Sequence, residues 1–203
     1  MSKPAEPQKF SDQLEHWLKG KHHKTLDSLI TLFEDKSFAV VFLLLMILPA
    51  LPLPTGGITH VFEIIVALLC LELIAGLPRV WLPKKWRYMR LGKFLEGKAI
   101  PLLLKRVRQV EKRSSPRWRS FFGLPLVPRF LGLIVLGLTA TAFFSPPFSG
   151  LDTLPSLGVV LISLAIILDD VVLLAFGSLV GALGVFLVIG VGEAIVHAIK
   201  HLI

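Results

Sequence analysis

The stretch "LPALPLPTGGITHVFEIIVALL", Leu48 to Leu69, sets Thr59, His60 and Glu63 among residues otherwise suited to lipid. On a helix, His60 and Glu63 stand at i, i+3, and Thr59 and Glu63 at i, i+4. A hydroxyl, an imidazole and a carboxylate then share one face. A buried ionised carboxylate is costly unless paired, so such a cluster is a candidate for holding a proton or a cation. Thr55 in the kink ahead of it and Asp169 in the second half of the chain complete a candidate ion or substrate site. The competing reading is a wet loop near the lipid headgroups.

Other polar residues offer less. Glu72 lies nine positions past Glu63, about half a turn round the helix, so the two are not a catalytic pair. Asp169 and Asp170 follow a twelve-residue apolar run, a position that favours a turn where helices leave the membrane over a set of ion ligands. Glu193, His197 and His201 at i, i+4, i+8 have spacing that suits zinc, but on a terminal amphipathic helix they read as a solvated face. Nucleophile arrangements and HExxH are absent, and "PTGG" lacks the lysine and spacing of a phosphate loop. Cys70 is the single cysteine, which excludes an intrachain disulfide and a multi-thiolate metal site. The expectation is no catalytic residue, no metal, no cofactor and no enzymatic activity.

Hydrophobic residues make up 54% of 203, with mean hydropathy +0.73, more apolar than a soluble domain of this size. From Phe38 onward they form blocks that are hydrophobic all round, which face lipid or other buried helices. The formal charge of +8 is uneven. Residues 1–37 balance, residues 78–129 hold fifteen Lys/Arg against Glu96 and Glu111 for a net +13, and the remainder is −5. A segment so basic beside apolar blocks reads as cytoplasmic by the positive-inside rule. Its partner is then the anionic leaflet of the bilayer, with nucleic acid set aside.

Four regions follow. Residues 1–37 are polar and amphipathic, with Ser11 as a helix cap, Leu14, Trp17 and Leu18 on one interfacial face, and Leu26, Leu29, Ile30 and Phe33 on a second. Residues 38–77 form a hydrophobic helical hairpin broken by Pro49, Pro52, Pro54 and Gly57. No cleavable leader is visible, so its first block is expected to stay in the protein. Residues 78–129 form a basic amphipathic connector, interrupted at Pro101, with Trp81 and Trp86 at the membrane interface. Residues 130–203 form a second hydrophobic region, broken by Pro146, Pro147 and Gly150, turning near Asp169, and closing with a helix whose Gly177, Gly181, Gly184, Gly190 and Gly192 suit close packing.

The two breaks share a plan, and Pro54 and Gly57 align with Pro147 and Gly150 at one offset of 93. As a candidate internal repeat this is weak in sequence. As architecture it is the pattern that points to a binding site in repeat-built transporters.

The run "FAVVFLLLMILPALPLPTGGITHVFEIIVALLCLELIAGLPRVWLP", then "LLLKRVRQVEKRSSPRW", then "ILDDVVLLAFGSLVG" resembles the exopolysaccharide synthesis protein family ExoD over roughly Leu26 to Val185. The resemblance implies a small polytopic protein of the bacterial cytoplasmic (inner) membrane, linked to exopolysaccharide production, with no established enzymatic activity. Its motif positions here are Pro49, Pro52, Pro54 and Gly57, then Trp81, Leu82 and Pro83, then Asp169. Relatives carry a glycine after that aspartate where this chain has Asp170, which bears on the tightness of the turn.

The expected fold is an all-α polytopic membrane protein with about five hydrophobic segments, two of them short and Pro/Gly-broken. The expected function is an accessory role in exopolysaccharide synthesis or export, through exopolysaccharide assembly proteins and lipid. The alternative is a small secondary transporter or ion exchanger using intramembrane carboxylates at the two broken helices. Either is compatible with a homodimer.

Overall fold

The computed structural model describes residues 9–20, 24–51, 58–81, 83, 87–88, 97, 100–112, 119–146 and 149–202. Thr55, Pro52, Pro54, Gly57, Leu82, Trp86 and Pro147 lie outside the described residues. Within them the chain is helical, with no β-strand: α1 (Phe10–Lys19), α2 (Leu26–Leu32), α3 (Ser37–Met46), α4 (Ile58–Ala75), α5 (Ile100–Glu111), α6 (Arg119–Phe122), α7 (Val127–Phe143), α8 (Thr153–Leu168) and α9 (Val171–Leu202).

Two antiparallel hairpins, α3 with α4 and α7 with α8, make the bundle. At one end the His60 ring, at the start of α4, meets the Phe143 ring, at the end of α7, with centroids 5.3 Å apart. At the other end Gly132 of α7 packs on Leu73 and Ile74 of α4, and Lys36, just before α3, reaches the Ile167 carbonyl at the end of α8. The end of α3, the start of α4, Pro146 and Gly150 therefore sit at the first end, and Gly76, Arg129 and Asp169 at the second.

The second end is closed by turns whose chemistry is explicit. Gly76 takes φ +87, and the Leu77 N–H donates to the Glu72 carbonyl, a Schellman closure that only a residue free of a Cβ adopts without strain. The turn from α8 to α9 is made by Asp169 itself in the left-handed region, φ 54. Asp170 caps α9, its Oδ1 accepting from the Val172 and Leu173 N–H groups. The missing glycine does not prevent a tight turn, because aspartate tolerates the left-handed conformation better than most residues.

Helix α3 is covered on every side, all ten of its residues being buried. It packs on α2, α4 and α8, so its all-round hydrophobicity reflects protein neighbours. The amphipathic helices correct the sequence reading in the same sense. Leu14 and Trp17 are buried in the protein core, which Ile100, Leu103 and Val107 of α5 extend, so α1 spends its apolar face on the fold and not on lipid. Ser11 is not the cap of α1. Lys9 holds that position, and the Ser11 N–H donates to Glu111 Oε1 at 3.0 Å. Pro101 does not interrupt α5 but stands in its first turn, where its missing N–H would have had no helical partner.

Acids of the N-terminal region pair with cations of the basic segment: Glu34 with Arg79 at 3.0 Å, Asp27 with Arg87, and Glu15 with Arg108. Regions separated in sequence thus fold onto one another and offset part of the +13 charge.

Helix α9 runs antiparallel along α8 through a glycine seam. A Cβ on Gly158 would lie 2.5 Å from the Gly181 Cα, and one on Gly184 would lie 2.5 Å from Pro155. Gly190 and Gly192 have nothing within 4 Å and take no part. By length and composition α9 is the one described helix able to cross a bilayer unaided, over the 24 residues Val171–Ala194. Apolar stripes face outward along three helices: Val61, Ile64, Leu68 and Leu71 on α4, Phe130 and Leu133 on α7, and residues from Val172 through Phe186 on α9.

Candidate functional site

The helix spacing of α4 brings His60 and Glu63 together. His60 Nδ1 lies 2.7 Å from Glu63 Oε2, within the first two turns of the helix. The imidazole is partly open, its side chain 30% exposed, whereas the Glu63 side chain is 0% exposed. Thr59 is buried one turn before Glu63. The second carboxylate oxygen, Glu63 Oε1, is buried with no hydrogen-bond partner.

Glu63 faces α7. Ile74, eleven residues on and nearly eclipsed with it, touches Gly132. On α7, Gly132, Thr139 and Phe143 share one face at intervals of seven and four, with Gly132 against α4 at one end and Phe143 against His60 at the other. Thr139, between them, is buried with its hydroxyl unpartnered. Just ahead of α8, its N-cap residue Asp152 lies close enough to act electrostatically on Glu63. Ser156, one turn later on the same face, is also buried and unpartnered.

The glycine seam fixes the level of this cluster. Gly181 lies against both Gly158 and Leu138, the neighbour of Thr139. Gly181 is ten residues past Val171 and thirteen before Ala194. Thr139 and Ser156 thus stand about 15–20 Å from the Val171 end of α9, level with its middle, and Glu63 within about a turn of them.

Asp169 is not part of this cluster. It lies at the opposite end of α8, thirteen residues past Ser156, where Oδ2 takes the Lys36 ammonium at 2.9 Å. Glu72 turns away as its spacing required, its Oε2 accepting from the Trp81 backbone N–H at 2.9 Å. The Trp81 side chain is exposed. Pro49 is buried in the turn that ends α3, and Pro146 and Gly150 stand in the exposed turn between α7 and α8.

Thr139 and Ser156 were not singled out from sequence. The available signal was a hydroxyl within each apolar helix, seven residues from a packing glycine in one case and from a second buried serine, Ser163, in the other. No three of His, Cys, Asp or Glu converge on a metal position among the described residues. The cluster offers one carboxylate, one imidazole and neutral hydroxyls, a set able to store a proton or hold a small cation.

A protein-family model described as "Exopolysaccharide synthesis, ExoD" matches residues 10–190. The chain is similar to an uncharacterized protein, slr1875, of Synechocystis sp. (strain ATCC 27184 / PCC 6803 / Kazusa), 26% identical over 168 residues that cover 80% of this chain and 76% of that protein. No solved structure matches.

Proposed function

The chain belongs to the ExoD family, and on that premise we propose that it is an integral protein of the bacterial inner membrane, accessory to exopolysaccharide synthesis or export. It works through contacts with lipid and assembly proteins, without catalysis of its own. The family match over residues 10–190 carries this reading. The outward apolar stripes on α4, α7 and α9 supply the lipid contact, and cations of the 78–129 segment not taken up by N-terminal acids supply the attraction to an anionic cytoplasmic leaflet. Deletion should abolish exopolysaccharide, and Glu63→Gln should restore it as fully as the wild type, with no ion flux by the purified protein.

One observation favours a second reading, a small secondary transporter or ion exchanger. A fully buried carboxylate beside a Pro/Gly break, level with the middle of the one unaided spanning helix, is the arrangement found where transporters bind their ions. On this reading Glu63→Gln abolishes flux while the protein is still made and inserted. Normal flux in that variant removes Glu63 from the route.

A further inference from the structure

We infer that Glu63, Thr139 and Ser156 form a binding site for a small monovalent cation, sodium or lithium. The inference deepens the transporter reading by naming its ion, but it stands or falls on binding and needs no flux.

Three oxygen atoms carry it. Glu63 Oε1, Thr139 Oγ1 and Ser156 Oγ come from three different helices. Each is buried, and each lacks a hydrogen-bond partner. Buried polar atoms in folded proteins are nearly always satisfied, so three orphans gathered at one level call for a shared ligand. None of the three needs another donor as much as a cation: a carboxylate oxygen accepts only, and each hydroxyl has lone pairs to give. The helix faces agree. Thr139 lies on the α7 face that packs against α4, and Ser156 follows Asp152 on the side of α8 away from the glycine seam with α9.

The donor set selects the ion. All three atoms are hard oxygens, which suits alkali and alkaline-earth cations over zinc or copper. A single carboxylate at the core neutralises one charge, where divalent sites in proteins recruit several. The other carboxylate oxygen is tied to His60 Nδ1 at 2.7 Å, which orients Glu63 and leaves Oε1 to the ion.

Two titratable groups face Glu63: His60 on α4 itself and Asp152 ahead of α8. Helix α3 contributes none, and the only ionisable residue of α7, Arg129, is at the far end against Gly76. Asp152 draws cations towards the site.

The test uses the full chain purified in detergent, with thermal unfolding followed in sodium, lithium, potassium or choline chloride at fixed ionic strength and pH 8.5. Sodium and lithium should raise the midpoint saturably. Glu63→Gln should remove the response. Thr139→Val and Ser156→Ala separate a ligand from a packing residue, because removing an orphaned hydroxyl leaves an ion-free fold as stable or more so. Each should retain the fold in choline and weaken sodium at least tenfold. A midpoint indifferent to sodium overturns the site, as does a Thr139→Val and Ser156→Ala double variant with the wild-type sodium response. Binding without sodium flux in proteoliposomes keeps the site and removes the transporter reading.

Discussion

Substituting Gly158 with alanine should destabilise the protein by about 1–3 kcal/mol, the usual cost of overpacking. The new Cβ would meet the Gly181 Cα at 2.5 Å, the Gly181 nitrogen at 2.8 Å and the Gly177 carbonyl oxygen at 3.2 Å. These are backbone atoms of a helix and cannot rotate away, so α8 and α9 must part by roughly 1 Å to restore ordinary contact. In a chain of 203 residues that is a fall in Tm of roughly 2–10 °C. The same exchange at Gly190, which has nothing within 4 Å, should leave Tm level or raise it, since alanine is worth about 1 kcal/mol more than glycine in a helix. Cys70, the single cysteine, is 0% exposed. A thiol-reactive dye therefore reports unfolding directly, with no engineered label. If Gly158→Ala and Gly190→Ala move Tm alike, α8 and α9 are not in the register described. The level assigned to Glu63, Thr139 and Ser156 on the α9 scale would fall with it.

Lys36→Met should lower stability by about 1–2 kcal/mol, because it strips a charged donor from Asp169 Oδ2 and from the Ile167 carbonyl. Denaturant midpoints check this, and an unchanged midpoint would mean that water replaces the lysine without loss. Acid should loosen α1 from α5. The Lys19 hydrogen bond, joined by the charge of Arg108, holds the Glu15 carboxyl below its ordinary value of 4.5 against the opposing effect of burial. Its contribution is thus full above pH 4.5 and lost as pH falls through the depressed value. Hydrogen exchange of the α1 amides at low salt should show this loosening, and Glu15→Gln should flatten it. For topology, Thr55→Cys and Ser149→Cys in a Cys70→Ser background can be probed with an impermeant maleimide. Labelling that is slow and pH-dependent, compared with a site beyond Glu193, is the expected result if the breaks end below the membrane surface. Rapid labelling from the periplasmic side alone would make them ordinary outer loops.

The His60–Glu63 pair was legible in sequence because i, i+3 spacing is a property of the helix alone, and so was the separation of Glu63 from Glu72. The turn at Asp169 was legible too, from two acids after an apolar run. Depth was not. Asp169 and Glu63 were grouped as intramembrane acids, yet they stand at opposite ends of the bundle, and nothing in an apolar run says where along it a neighbouring helix begins. Covering was not legible either. The apolar faces of α1 and α5 were assigned to the interface and Ser11 to a cap, because amphipathicity reveals that a face is apolar without revealing what lies on it. Thr139 and Ser156 needed the packing of α7 on both α4 and α8 before two hydroxyls on separate helices became members of a cluster.

On the proposed membrane setting, the lengths of the helices bear on how the site is reached. The apolar run of α9 covers 24 residues, about 36 Å, while α7 and α8 have 17 and 16, about 24–26 Å. All three start from the Asp169 end, so α9 continues some ten residues past Gly184, the residue that packs on the first turn of α8. The tip joining α7 to α8, with Asp152, stops short of the plane that α9 reaches by about 10–15 Å. Backbone in a break cannot face hydrocarbon at that depth without a partner for its polar groups. Water entering beside the α7–α8 tip would supply those partners, and it would arrive at the partly exposed His60 ring, one turn from Glu63. The shortness of α7 and α8 then puts the buried carboxylate within a turn of that water.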